Sequence, residues 1–216
     1  TLLNQPLRAP LRMSARYALF RWSADLTALP GFPREQQSCW NLQPGVQALI
    51  LRGQDAERRI DLARWGLTPA WFTDFSRTPA HARLESISTQ PMFRQAFQQR
   101  RCLLPANGFF EWRGVRKQPY WMSVAEPLLY FAGIWEAYPS GDREYLSFAM
   151  ITREAGPQRR PIVLNAVEQQ QWLAPDTPAE QLLALLHDAS PPMFERALTN
   201  IVNDPRVDRP ECLTPV

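Results

Sequence analysis

Of the 24 cationic side chains in the 216-residue sequence, all but Lys117 are arginines. A guanidinium grips phosphate through parallel N–H donors and stacks on base faces, so this bias suits a nucleic-acid binder. It equally suits the codon usage of a GC-rich genome, and a net charge of only +3 permits nucleic acid without demanding it. The cysteines Cys39, Cys102 and Cys212 are three in number, widely spaced and without a C-x-x-C pair. That pattern excludes a disulfide framework or a zinc ribbon, and the three read as small buried hydrophobes. His81 and His187 are the only histidines, too few for a metal site without a carboxylate cage, so neither metal nor cofactor is expected.

These residues need a scaffold, and the pattern of the chain is strand-rich. Gln47–Leu51, Ile60–Trp65, Tyr120–Val124, Leu128–Ala137, Tyr145–Thr152 and Pro161–Leu164 are short, β-branched or aromatic runs bounded by Pro, Gly or Asp. Helices are expected over Met92–Arg100, opened by Ser88-Thr89 and Pro91, over Val167–Leu173, capped by Asn165, and from Thr177-Pro178 through Leu186. Strands do not alternate with helices as in a doubly wound sheet, so the fold class is α+β with antiparallel-rich sheets. Repeats, low-complexity linkers and a convincing internal boundary are absent, which predicts a single domain. No run of about 18 apolar residues exists, and the chain reads as a soluble, cytoplasmic monomer with no membrane partner.

Five segments in order carry a family resemblance. Met13-Ser14-Ala15-Arg16-Tyr17-Ala18, Trp40-Asn41-Leu42-Gln43-Pro44-Gly45, Trp65-Gly66-Leu67-Thr68-Pro69-Ala70-Trp71 and Ala82-Arg83-Leu84-Glu85 lead to the most specific block. That block is Arg101-Cys102-Leu103-Leu104-Pro105-Ala106-Asn107-Gly108-Phe109-Phe110-Glu111-Trp112. Together with Lys117-Gln118-Pro119-Tyr120, Phe131–Trp135, Ile151-Thr152 and Val202-Asn203, the chain from residue 13 to 216 resembles the SRAP (SOS response-associated peptidase) family of abasic-site processing proteins. The resemblance implies one domain over 13–216 with a barrel-like core of twisted sheets, preceded by an extension over 1–12.

It also implies a chemistry, and here the sequence departs. Active members form a thiazolidine between an N-terminal cysteine and the sugar aldehyde, which needs thiolate and α-amine on one residue. Ser14 stands at that position, its hydroxyl a poorer nucleophile, and with residues 1–13 before it its nitrogen is an amide. His81 replaces the family's asparagine, and Pro157 replaces the histidine of a His-x-Arg-x-Pro segment that here reads Pro157-Gln158-Arg159-Arg160-Pro161. Glu111 keeps the place of the glutamate that in the family assists proton transfer and removal of whatever precedes the cysteine; the alternative is a structural carboxylate bonded to sheet-edge amides or to an arginine. His81 beside Glu111 would form a substitute acid-base pair with a raised imidazole pKa, and a satisfied or solvent-facing histidine is the plainer expectation.

The DNA-facing set is better kept. Arg16, Arg83 and Arg159 match arginines on phosphates near the lesion, Trp71 and Phe72 match aromatics on which bases stack, and Asn41 and Pro44 match a loop that turns the strand. Trp40, Trp65, Trp112 and Trp135 are assigned to the core instead. The expected partner is single-stranded DNA, abasic sites included, in the DNA-damage response and without covalent capture; nucleoid association fits that partner. Two readings stand beside it: an abasic-site processing protein or autopeptidase of altered mechanism, and a protein-interaction module that has lost DNA.

Overall fold

Two signals organise the chain locally: runs of alternating or continuous apolar residues that form strands, and prolines and glycines that turn them. In the computed structural model, residues 16–54 and 57–216 are described. The strands are β1 (Arg16–Leu19), β2 (Cys39–Leu42), β3 (Gln47–Gln54), β4 (Glu57–Trp65), β5 (His81–Arg83), β6 (Arg101–Ala106), β7 (Gly108–Arg113), β8 (Gln118–Ser123), β9 (Leu129–Ser140), β10 (Arg143–Ala155), β11 (Gln158–Pro161) and β12 (Phe194–Ala197). The helices are α1 (Ala24–Thr27), α2 (Arg94–Gln99), α3 (Ala166–Leu173) and α4 (Ala179–Asp188). This is the expected α+β class, with mostly antiparallel pairing.

Strands β10, β4, β3, β6 and β9 close on one another, because β9 pairs with both β6 and β10. Closure removes the free sheet edges and produces the barrel-like core. Its filling is aromatic: Trp65, Phe131 and Phe148 are fully buried, and Tyr17 packs against Trp65 and Phe131 at 5.2 and 5.6 Å between ring centres. A second sheet in the order β12-β8-β7-β1-β2 lies beside the barrel.

β10 is long enough to leave the barrel. Its first half pairs with β9 and its last residues pair with β5 on one side and β11 on the other. The β10–β11 connection is a two-residue turn, since Ala155 pairs with Gln158. Gly156 takes φ +63 at its first position and Pro157, locked near φ −65°, fills the second, the arrangement of a type II′ hairpin.

α3 begins as expected: Asn165 accepts from the Val167 and Glu168 amides, and Glu168 returns a bond to the Asn165 N–H. Three expectations need correction. The Pro161–Leu164 run is not a strand; pairing ends at Pro161, and only Val163 bridges to Phe131. Arg94 rather than Met92 opens the second helix, after a turn over 91–93. Only Trp65 of the four tryptophans is a true core residue, whereas Trp112 and Trp135 are half-buried and each carries an arginine on its face, Arg16 and Arg52, at 4.4 Å. Trp40 is half-buried and stacks on Phe20 at 3.9 Å.

Arg101, the first residue of the most specific motif, works inside this scaffold. It is buried on β6 and donates to the Phe97, Trp172 and Ala174 carbonyls at 3.2, 2.7 and 2.6 Å. Those oxygens end α2 and α3, where helices leave carbonyls without intrahelical partners. One guanidinium therefore ties two helix ends to the barrel wall.

Candidate active-site cleft

β5, β10 and β11 on one side and β7 on the other enclose an open cleft of about 660 Å³. His81 and Arg83 come to it from β5, Thr152 from β10, Pro157, Gln158 and Arg159 from the β11 hairpin, and Glu111 and Trp112 from β7. Lys117 enters from the β7–β8 turn. Residues separated by more than seventy positions in sequence thus share one wall-to-wall space. Ser14 lies outside the described residues.

Strand periodicity sorts the arginines of β11. Successive side chains leave opposite faces, so Gln158 and Arg160 share one face of β11 and bond to β7, while Arg159 leaves from the other face. Gln158 donates to the Trp112 carbonyl at 2.9 Å. Arg160 donates through Nε and Nη2 to the two carboxylate oxygens of Glu111 at 2.8 and 2.9 Å. Arg113 adds a third bond at 3.0 Å and reaches on to Glu195 of β12 at 2.8 Å. Glu111 is buried, and burial alone would raise its carboxyl pKa; the bonds from Arg160 and then Arg113 outweigh that and hold it below the ordinary value. A carboxylate so saturated is a poor proton carrier at neutral pH.

His81 behaves contrary to the substitute acid-base expectation. Burial first, and the charge of Arg159 second, lower its pKa from 6.5 to about 4, not upward as a Glu111 partnership would. Its ring stands edge-on to Trp65 at 5.7 Å, and its Nε2 is buried with no hydrogen-bond partner among the described residues. At neutral pH the cleft therefore holds an uncharged imidazole with a free polar atom.

Arg159 is held by Glu85 at 2.7 Å and by the Thr152 hydroxyl and carbonyl at 3.2 and 2.9 Å. These use Nε and Nη2, and Nη1 makes only a 3.8 Å approach to Glu154. Arg83 is exposed on the same side. Arg16 sits behind the cleft, buried, stacked on Trp112 and bonded to Asn41 Oδ1 at 3.1 Å. Burial, slightly opposed by Cys212, lowers its pKa to about 10, which leaves it a cation at neutral pH.

The remaining members of the expected DNA face do not line this cleft. Asn41 is buried, and its amide donates to the Val207 carbonyl at 2.8 Å, which pins β2 to the segment after Asn203. Pro44 precedes Gly45, whose φ of +97 and bond to the Trp65 carbonyl make a tight turn. Trp71 is 59% exposed and Phe72 half-buried beside it, edge to face at 5.9 Å, on the connection that leads into β5. Arg160, Arg113, Glu85 and Lys117 were not picked out by residue type as site members, although Arg160 lies within the Pro157–Pro161 segment.

The family model for SOS response associated peptidase (SRAP) matches residues 13–205. The chain belongs to the SRAP family. It is 29% identical over 195 residues to the abasic site processing protein YoqW of Bacillus subtilis, covering 83% of this chain and 87% of YoqW. It is 30% identical over 145 residues to the abasic site processing protein YedK of Escherichia coli, covering 62% and 64% of the two chains. With HMCES of Gallus gallus it shares 28% identity over 232 residues, covering 90% and 69%. A crystal structure of a Bacteroides thetaiotaomicron protein shares the fold with a TM-score of 0.70 at 23% identity, covering 82% of this chain and 85% of that one. The SRAP member described here shares that fold, and its cleft brings together His81, Glu111, Pro157 and Arg159.

Among the described residues, no group of three or more His, Cys, Asp or Glu is placed to hold a metal ion, and no helix is long and apolar enough to cross a membrane. Cys102 and Cys212 are buried free thiols, whereas Cys39 is only half-buried.

Proposed function

We propose that this SRAP chain binds single-stranded DNA at abasic sites as part of the DNA-damage response, and that it does so without a thiazolidine crosslink. The observation that carries the reading is the pairing within one cleft of accessible cations with disabled proton-transfer groups. Arg83 is exposed, and Arg159, whose Nη1 has only a 3.8 Å approach to Glu154, lines the same cleft; phosphate contacts from such groups position a strand without reading its sequence. Glu111 meanwhile is saturated by two arginines, and Pro157 supplies no ionisable group at the hairpin. Trp71 and Phe72 offer faces for unstacked bases at the approach to β5. In this reading residues 13–216 are the binding domain, residues 1–12 an extension, and the protein acts as a cytoplasmic monomer.

A binding titration with single-stranded, abasic single-stranded and duplex oligonucleotides across a salt series tests this. Preference for single strands, with affinity falling as salt rises, supports it; equal affinity for duplex rejects it. An interaction module that has lost DNA would bind none of the three.

A further inference from the structure

Beyond holding a strand, the cleft contains one side chain able to react with an aldehyde. Lys117 is the sole lysine of the sequence and lines the cleft with His81, Glu111 and Arg159. The other cations at its walls are guanidiniums, which stay protonated and have no lone pair to add to a carbonyl. Lys117 is also the single non-glycine residue with positive φ among those described, at +51. That conformation costs about 1 kcal/mol for a residue with a Cβ, and strain of this kind collects at functional positions. The turn fixes it there: Arg113 pairs with Gln118, Gly114 takes φ +70, and the Lys117 N–H donates to the Gly114 carbonyl at 3.1 Å. The amine therefore leaves from a defined point at the mouth of the cleft.

His81 lines the same cleft, and its buried Nε2 has no hydrogen-bond partner among the described residues. Buried polar atoms are nearly always satisfied, and a neutral imidazole suits a hydroxyl or carbonyl oxygen rather than a phosphate. A ring-opened deoxyribose carries both.

We infer that Lys117 forms a reversible imine with the C1′ aldehyde of an abasic deoxyribose held in this cleft; this rests on the DNA-binding reading above. The unprotonated Nζ adds its lone pair to C1′, and the carbonyl π pair moves to oxygen, which takes up a proton. Nζ releases one proton to give the neutral carbinolamine; its hydroxyl takes a second proton from solvent and leaves as water as the nitrogen lone pair forms the C=N bond, and Nζ then returns its last proton to solvent, with no change of oxidation level. Hydrolysis reverses each step, so the linkage differs in kind from a stable two-heteroatom ring.

The test incubates the full chain with an abasic single-stranded oligonucleotide, adds borohydride to reduce any imine, and maps the adduct by peptide mass spectrometry. Non-covalent binding is measured in parallel. An adduct on the peptide containing Lys117, with yield reduced at least tenfold in Lys117→Arg, supports the inference; mapping in the unaltered protein does not depend on how the variant folds. An adduct on the chain's terminal amine, or binding with no trapped adduct, overturns the imine and leaves the binding reading standing. Absence of both binding and adduct overturns the two together.

Discussion

Arg160 places both its Nε and its Nη2 on the carboxylate of Glu111, closing a two-point ion pair between β11 and β7 across the end of the cleft. The pair joins the barrel's extension to the second sheet, and Arg113 carries it on to Glu195 and β12. Arg160 occupies the second free position of the Pro-Gln-Arg-Arg-Pro segment, three residues after the proline that begins it. Pro157, which has no titrating group, and the arginine that saturates Glu111 thus belong to one hairpin.

Arg160→Met should lower the unfolding free energy by about 1–2 kcal/mol, a value reduced by the partial exposure of the arginine. The carboxyl of Glu111 lies below its ordinary 4.5 in the folded chain, so its contribution is present above that pH and is lost as pH falls through the lower folded value. Urea midpoints at neutral pH and near pH 4 should show a smaller acid loss in the variant. An unchanged midpoint at neutral pH would count against the clamp.

His81 gives a second, separable pH effect. An unfolded chain takes up a proton near pH 6.5, whereas the folded imidazole refuses it until about 4. Stability from this group is therefore complete above about 6.5 and declines through that window, by up to about 3 kcal/mol at 1.36 kcal/mol per unit. His81→Asn should flatten the decline between pH 6.5 and 5. NMR of the ring should find it still neutral at pH 5.5, and a transition near 6.5 would refute its burial.

How these groups fared illustrates what a linear pattern carries. The long strands β3, β4, β9 and β10 and helices α3 and α4 were legible because apolar periodicity and end signals are local, as with Asn165 and Glu168. β1, β2 and β12 are four residues each, too short to show a period, and their pairing depends on partners far along the chain. Continuous burial of β6 likewise hides any alternation. Within the cleft, the resemblance located His81, Glu111, Arg83 and Arg159, but the direction of the His81 shift depends on burial by other strands. The Glu111–Arg160 bond joins residues 49 apart, and nothing in either neighbourhood announces it.

Arg101→Lys should destabilise the fold by about 2–3 kcal/mol although the charge is kept, because an ammonium cannot satisfy carbonyls on two helices from one plane. Thermal unfolding checks this. Wild-type stability in the lysine variant would show that the helix-end bonds contribute little.

Gly108→Ala should destabilise by about 1–3 kcal/mol. A Cβ there would strike the Trp121 ring and the Met122 carbonyl on β8, neither of which is a flexible chain end. Equal melting temperatures would mean that β7 and β8 can part without cost.

Arg83→Ala should weaken single-strand binding and reduce the slope of log affinity against log salt by about 0.7, the contribution of one phosphate contact. An unaltered slope would place the strand elsewhere on the surface.

The central claim is that this SRAP chain holds abasic DNA without locking onto it. The most direct measurement takes one mixture of protein and abasic single-stranded oligonucleotide, without reductant, and resolves it on native and on denaturing gels. The account predicts a shifted complex on the native gel and free oligonucleotide after denaturation. A complex that survives denaturation would contradict it.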